Sequence, residues 1–412
     1  MTSQRYDLYL NTRETGLLHA AELVLVEERG GLSQVGFRYR AEYLGAPGAF
    51  SIDPAQLPLR AGTVEFTCHR GACPAFLDDY LPDDWGRKVL AQLALYREHK
   101  TLNANSAIDT LSMLGNSRIG AVSIVEQGAA PHFDGGYALE QVQAAEQAAQ
   151  QLDQLDHGEV DLDEMSLLYL ANAGTGVGGA RPKALLFDDQ GHYLAKFNRL
   201  TRDAYNNARV ELACLRMAQA AGITMLDGKV ITGINGREVL LLDRFDMESN
   251  TRKHLITANG LLKEPQSQLD LGHAFRYDHV SELIRKYSCR VEEDLMQLLK
   301  LMLFNRAINN TDDHERNFSF MHSEKGYHLA PAYDLVPSLT LNSHHAAGYQ
   351  YQPWPPSPSE ALEDGRIFKL PRPKVKAAAK DVAGAVEQWR YFAHEAGVSR
   401  EDKEKLERVI RI

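Results

Sequence analysis

Over the first hundred residues, short stretches alternate apolar with polar side chains: YDLYL, ELVLVEE and QVGFRYRAEYL, separated by turns rich in Gly and Pro. A period of two places one face of each stretch against a core and the other in solvent, so they read as strands of a small α+β unit. The spacing then changes. In FLDDYLPDDWGRKVLAQLALYREH, Trp85, Val89, Leu90, Leu93 and Leu95 fall near helical period behind Pro82. Asp83 and Asp84 stand at the amino-terminal end, where carboxylates favour a helix start. Residues 127 to 165 are polar and rich in Gly, Asp, Gln and Ala, with an Ala/Gln-rich helical segment, and suit a connection between lobes.

From 166 to 246 the order is strand, Gly-rich turn, strand, helix, strand, strand, carried by ALLFDD, HYLAKFN, NNARVELACLRMAQAAGI, GKVITGI and REVLLLDRFD. After about 250 the pattern turns helical, with VSELIRKY and VEEDLMQLLKLMLFNRAINN. The wide stripe of Leu295, Leu298, Leu299, Met302 and Leu303 in the latter reads as core. PWPPSPSE, near 353 to 359, reads as a loop because its prolines lack donors and fix φ. No internal repeat is visible.

A chain of 412 residues exceeds the size at which one core stops growing, so two or three lobes are expected. With 44% hydrophobic and 24% charged residues it has ample apolar surface to bury. The formal charge of −10 disfavours direct contact with a phosphate backbone. MTSQRYDLYLNTRETG lacks the apolar core of a signal peptide, and no later run approaches the roughly 20 apolar residues of a membrane span. The sequence thus reads as cytoplasmic, with no membrane partner. Cys68, Cys73, Cys214 and Cys289 are too few and scattered for a disulfide framework, so reduced thiols are expected. Cys68, His69 and Cys73 could supply three metal ligands, but their spacing fits no common zinc finger.

The chemistry gathers in NNTDDHERNFSF. Asp312 and Asn317 are five positions apart, the D-x-x-x-x-N spacing of a kinase catalytic loop. The carboxylate reaches the acceptor hydroxyl while the amide oxygen, a turn further on, faces a Mg²⁺ that bridges phosphates. HLAPAYDLVPS follows, with Tyr333 before Asp334, where a kinase places its second metal-binding carboxylate. Upstream, Lys196 lies in the strand-like HYLAKFN, with Glu211 on the next helix. GTGVGGARPK, residues 174 to 183, matches G-x-G-x-x-G between strands, where amides can approach phosphate oxygens. Neither spacing is specific alone; D-x-x-x-x-N also occurs in surface turns. The order of the parts carries the reading. A dinucleotide site would need an acid after the next strand, where this chain has Asn198 and Arg199. A Walker A loop would need Gly-Lys-Ser/Thr, whereas Lys183 stands between Pro182 and Ala184.

At GVGGARPKALL, LLLDRFD, NNTDDHERNFSF and LAPAYDLVPS the chain resembles the HipA-like serine/threonine kinases, toxin components of bacterial toxin-antitoxin pairs. FSIDPAQLPL and FLDDYLPDDWGRKVLAQL are similar to the small domain that precedes the kinase core in that family. The resemblance implies an α+β, two-lobed protein-kinase-like fold with a mostly helical C-terminal lobe. It implies an N-terminal subdomain over 1–125, a kinase N-lobe over 126–246 and a helical C-lobe over 247–412. ATP and Mg²⁺ are the implied cofactors. Asp312 would be the catalytic base, Asn317 and Asp334 the metal ligands. Lys196, with Gly178, Gly179, Ala180, Arg181 and Lys183, would clasp phosphates, and Asp243 and Phe245 would line the adenine hinge. Tyr333 falls beside the nucleotide. His314 either neutralises the transferring phosphoryl group or braces the loop.

Family members regulated by phosphorylation of their own Gly-rich loop carry serine there. This chain reads Ala173, Gly174, Thr175, Gly176, Val177, so only Thr175 could serve. The implied partners are a protein substrate in the translation machinery, aminoacyl-tRNA synthetases among them, and a small helix-turn-helix antitoxin that brings the DNA contact. Two rival functions fit the same residues. One is a small-molecule kinase of the lipid or antibiotic type. The other is a non-catalytic, kinase-shaped scaffold acting with a DNA-binding antitoxin.

Overall fold

The computed structural model describes residues 1–69, 72–103, 105–114, 118–133, 136–154, 170, 181–199, 203–263, 275–340 and 343–411. The chain forms two compact units, each assembled from three segments. Unit 1 is Met1–Phe197, Arg244–Leu271 and Met321–Lys325; unit 2 is Asn198–Asp243, Gly272–Phe320 and Gly326–Ile412.

Unit 1 begins with β1 (Thr2–Thr12), β2 (Gly16–Glu28) and β3 (Gly31–Tyr39). With β4 (Thr63–Thr67) and β5 (Val122–Glu126) they make a five-stranded antiparallel sheet in the order β4-β3-β2-β1-β5. The alternation fixes its register: Tyr6, Leu8, Leu10, Leu23, Leu25, Val35 and Phe37 are buried. QVGFRYRAEYL is strand only as far as Tyr39; Ala41–Leu44 wind into a short helix, α1, that carries the buried Tyr43. Two helices follow, α2 (Ala75–Asp78) and α3 (Asp84–Glu98). The Asp83 side chain caps α3 by accepting from Gly86 N at 2.8 Å. Trp85, Val89, Leu90 and Leu93 are buried, while Leu95 is half-buried at the stripe's edge. Helix α4 (Ala107–Met113) precedes β5.

The second sheet portion of unit 1 holds β6 (Tyr137–Ala138), parallel to β7 (Lys183–Phe187), and β8 (His192–Phe197), antiparallel to β7. Helix α5 (Val142–Gln154) packs on β7 and β8.

In unit 2, helix α6 (Asn207–Ala220) packs on the antiparallel pair β9 (Gly228–Thr232) and β10 (Glu238–Asp243). After Asp243 the chain returns to unit 1. There the hairpin β11 (Met247–Glu248) and β12 (Thr251–Arg252), strand β13 (Leu255–Thr257) and helix α7 (Ala258–Leu262) follow. Unit 2 resumes with α8 (Tyr277–Tyr287) and the long α9 (Val291–Ile308). Leu295, Leu298, Leu299, Leu301, Met302, Leu303 and Phe304 are all buried on α9, so it is apolar nearly all round, as a core helix must be.

Strands β14 (Ser319–Ser323) and β15 (Gly326–Leu329) come next, then α10 (Pro358–Asp364), α11 (Arg372–Glu387), α12 (Trp389–Glu395) and α13 (Arg400–Leu406). Helix α11 packs on α9, and α12 on α6. The proline-rich segment is loop only as far as Ser357, which caps α10 in a reciprocal capping box with Glu360. Pro358 occupies the first turn of α10, where its missing N–H costs nothing, so the last three residues of PWPPSPSE are helical. Among the described residues no helix is long and apolar enough to cross a membrane. Nor do three or more His, Cys, Asp or Glu side chains among them cluster to hold a metal ion, Cys68, His69 and Cys73 included.

Candidate active site

In unit 2 the site is built on the end of α9. The helix stops at Asn309, whose φ of 58° lies in the left-handed region that asparagine tolerates. Its amide donates to the carbonyls of Ser338 and Thr340, and Ser338 N donates back to the Asn309 carbonyl. The next segment is thereby pinned at both ends. Asp312 is exposed and Asp313 buried.

A 3₁₀ turn, Glu315–Asn317, follows. His314 caps it, its Nδ1 accepting from Arg316 N at 3.2 Å. An accepting Nδ1 carries no proton, so the ring is the neutral Nε2–H tautomer. The bracing role is thus present in the geometry, and Nε2–H is a donor rather than a full charge.

Asn317 is buried, and its Nδ2 donates to the Asp312 carbonyl at 2.7 Å. A carbonyl can only accept, so this bond fixes which end of the amide is which. Oδ1 is left buried with no hydrogen-bond partner. An orphaned acceptor costs stability in the absence of a donor or cation. An amide oxygen is an ordinary hard ligand for Mg²⁺, and the donor set of Asn317 and Asp334 fits that ion, which keeps several of its waters.

Asp334 has φ +60°, a conformation costing a non-glycine residue about 1–2 kcal/mol. Such strain persists only where neighbours hold it. Here Ala332 N donates to Thr224 O at 2.8 Å, and Asn310 Nδ2 donates to the Asp334 carbonyl at 3.3 Å. Tyr333 is buried; its hydroxyl donates to Arg316 O at 2.8 Å and lies 2.7 Å from Ser319 Oγ, which must then donate to it. Unit 2 therefore brings Asp312, His314, Asn317, Tyr333 and Asp334 into one linked pair of loops, with the Tyr333 phenol serving as the link. Asp243 ends β10, its N–H on Asp227 O at 2.8 Å. Partial burial and the neighbouring Asp227 push its carboxyl above the usual range. Glu211 is buried on α6.

The remaining candidates belong to unit 1. Lys196 is half-buried on β8, directly opposite Lys183 of β7 in the register. Opposed residues of an antiparallel pair point to the same face, so both lysines rise from one side of the sheet. Lys183 is 3% exposed in its side chain and sits 2.7 Å from Asp83 Oδ2. Burial raises the Asp83 carboxyl above its usual range, and Lys183 opposes that shift. The sequence marked Asp83 only as a helix start; its role as a partner of Lys183 spans a hundred residues and has no local signal.

Arg181 and Phe245 are half-buried. Beside Phe245, Arg244 and Asp246 of the DRFD segment form a bidentate buried pair at 2.9 and 2.7 Å. Asp246 also accepts from Gly120 N, and Arg244 donates to the Arg118 carbonyl. These two residues are structural ties. Gly178, Gly179 and Ala180, with Thr175 and the rest of 173–177, lie outside the described residues.

Sequence comparison matches residues 7–125 to the HipA N-terminal domain and residues 175–390 to the HipA-like C-terminal domain. A Sinorhizobium fredii protein named "Putative kinase Y4mE" is 25% identical over 88% of this chain and 81% of its own length. Toxin YjjJ of Escherichia coli is 25% identical over 65% of this chain and 60% of its own. Among solved structures, the complex of the Shewanella oneidensis MR-1 toxin-antitoxin system HipA, HipB and its operator DNA matches with a TM-score of 0.67. The match has 15% identity and covers 99% of this chain and 95% of that one. At that identity the likeness speaks for the fold, which is α+β and kinase-like. With the C-terminal family profile alone spanning more than half of its length, the chain belongs to the HipA-like family.

Proposed function

We propose that the chain is an ATP- and Mg²⁺-dependent serine/threonine-protein kinase that moves the γ-phosphoryl group of ATP to a hydroxyl on another protein. The observation that carries this reading is the Asn317 amide, whose NH₂ is held by the Asp312 carbonyl while its buried Oδ1 has no partner. One contact thus orients a metal ligand and fixes the backbone of the catalytic base. Asp312 accepts the proton of the acceptor hydroxyl as that oxygen bonds phosphorus and the bond to the ADP oxygen breaks. Asn317 Oδ1 and the Asp334 carboxylate would hold Mg²⁺, which would supply positive charge to neutralise the phosphates. His314 Nε2–H donates toward the transferring group. Lys196, with Arg181 and the Gly178, Gly179 and Ala180 amides, holds phosphate oxygens, while the Lys183 side chain, expected to join them, is buried on Asp83 and contributes through its strand instead. Asp243 and Phe245 flank the adenine, and Tyr333 braces the loop beside the nucleotide.

Functionally, residues 1–125 serve as the N-terminal subdomain, 126–246 as the nucleotide lobe and 247–412 as the catalytic lobe. The solved relative's assembly with HipB and operator DNA supports a small helix-turn-helix antitoxin as partner, which supplies the DNA contact. The name of YjjJ supports a toxin role. A translation-machinery protein such as an aminoacyl-tRNA synthetase is the proposed substrate, in the cytoplasm.

The test is incubation of the purified chain and its Asp334→Ala variant with Mg²⁺ and γ-labelled ATP in a cell extract. A protein band labelled by the wild type and lost in the variant supports the reading and identifies the substrate. ATP binding without any transfer to protein would reject it in favour of a small-molecule acceptor or a scaffold.

A further inference from the structure

The residue after the proposed base carries its side chain inward. Asp313 is 1% exposed, and its carboxylate is a hub with three donors. Tyr277 OH of α8 donates to Oδ2 at 2.7 Å, His345 Nδ1 lies 2.9 Å from the same oxygen, and Ala347 N donates to Oδ1 at 3.0 Å. A carboxylate only accepts, so His345 is protonated at Nδ1. Its side chain is wholly buried, and its Nε2 has no partner, which keeps the ring out of reach of any substrate. Burial, and Asp313 beside it, hold the Tyr277 phenol well above the ordinary range, so it remains a donor.

The chain of bonds continues from this hub. Asn305 Nδ2 of α9 donates to Tyr277 OH at 3.0 Å, and Asn310 Nδ2 donates to Asn305 Oδ1 at 3.1 Å. The second hydrogen of Asn310 reaches the Asp334 carbonyl at 3.3 Å. A parallel backbone bond, Ala346 N to Thr311 O at 3.0 Å, ties the same two segments. One buried polar network therefore touches the residue next to Asp312 at one end and the backbone of Asp334 at the other. Such a network fixes geometry more than it adds stability, because each member specifies where the next must be.

We infer that Tyr277, Asp313 and His345 are positioning residues for phosphoryl transfer: they anchor Asp313 inward so that Asp312 faces outward, and through Asn305 and Asn310 they set the backbone of Asp334. None of the three touches substrate. The inference rests on the kinase reading above and deepens it. It assigns function to a tyrosine in α8 and a histidine beyond the metal loop, both far in sequence from the phosphotransfer motifs.

The experiment compares wild type, Tyr277→Phe, His345→Leu and His345→Asn in steady-state transfer, alongside hydrogen exchange of the peptides covering 310–317 and 343–349. Asparagine places an amide donor where the Nδ1 of histidine stands. Tyr277→Phe and His345→Leu should lose about tenfold or more in kcat with KM for ATP within about twofold, and both peptides should exchange faster. His345→Asn should recover most of the kcat. A Tyr277→Phe enzyme with wild-type kcat and unchanged exchange overturns the inference, as does His345→Asn behaving like His345→Leu. Should His345→Leu fail to fold, Tyr277→Phe, which removes a single oxygen, decides. Wild type without transfer would sink the kinase reading instead, and the exchange comparison would still decide whether the hub holds the two loops together.

Discussion

Replacing Asn317 with aspartate separates this loop from a simple metal cage. A carboxylate is ordinarily the better Mg²⁺ ligand, so charge alone would favour Asn317→Asp. The geometry opposes it. Asn317 Nδ2 is 2.7 Å from the Asp312 carbonyl oxygen, and in the variant an acceptor-only oxygen takes its place. The hydrogen bond is lost, worth about 1 kcal/mol, and the carboxylate now buried at position 317 faces the Asp312 carbonyl unsatisfied, at about 1–3 kcal/mol. A penalty of about 2–4 kcal/mol on the working loop geometry corresponds to a fall in kcat of about 30- to 900-fold.

The assay is a Mg²⁺ titration of the transfer rate for both proteins, with thermal melting alongside. The expected outcome is a low plateau that excess Mg²⁺ does not lift, together with a lower melting temperature. A variant matching the wild-type plateau would refute the reasoning, since it would mean that the Asp312 carbonyl does not depend on the amide.

Three further outcomes follow from buried groups. Burial pushes the Asp53 carboxyl up to about 7, so between pH about 4 and about 7 the unfolded chain loses a proton that the folded chain keeps, and stability falls as pH rises. Asp53→Asn, whose Oδ1 can still accept from Ala55 N and Gln56 N, should flatten that dependence, by up to about 4 kcal/mol between pH 4 and pH 8 in denaturant melts. An unchanged slope would place the titration elsewhere. Cys68, Cys73 and Cys214 are buried and their thiols are raised by burial, whereas Cys289 is exposed, so a thiol reagent at neutral pH should modify one equivalent of the native protein rapidly. Rapid modification of two or more would contradict the packing of unit 1 or of α6. Asp246→Ala removes the carboxylate from a pair 1% exposed on each side and should destabilise the protein by about 3–5 kcal/mol, read as a large drop in melting temperature. A drop of only a degree or two would show that Arg244 finds another partner.

Local periodicity made the strands of unit 1 and the helices α3, α6 and α9 legible, because burial on one face is written into neighbouring residues. The five-residue spacing of Asp312 and Asn317 could be read locally because a single 3₁₀ turn and one hydrogen bond join them, whereas Asp334 is held by Asn310 and by the Ala332–Thr224 bond, which no local pattern announces. What the sequence hid depends on distant pairing. Nothing near Lys183 announces Asp83, and nothing in NNTDDHERNFSF tells the inward Asp313 from the outward Asp312, since the difference is made by Tyr277 and His345. The end of β3 was missed because Ala41–Leu44 is too short to show a helical period. The start of α10 was missed because proline, a breaker inside a helix, is favoured in its first turn.

The interleaving of the two units bears on how the protein is made. Unit 2 takes its second sheet strand from before residue 244 and its core partners α11 and α12 from beyond residue 371. On the ribosome, the loops carrying Asp312 and Asp334 emerge before the helices that close the core behind α9 and α6. Synthesis proceeds at about 5–20 residues per second, slowly enough for local structure to form while the rest is still to come. A nascent chain would thus carry the loops of Asp312, Asn317 and Asp334 before α11 and α12 have packed behind α9 and α6.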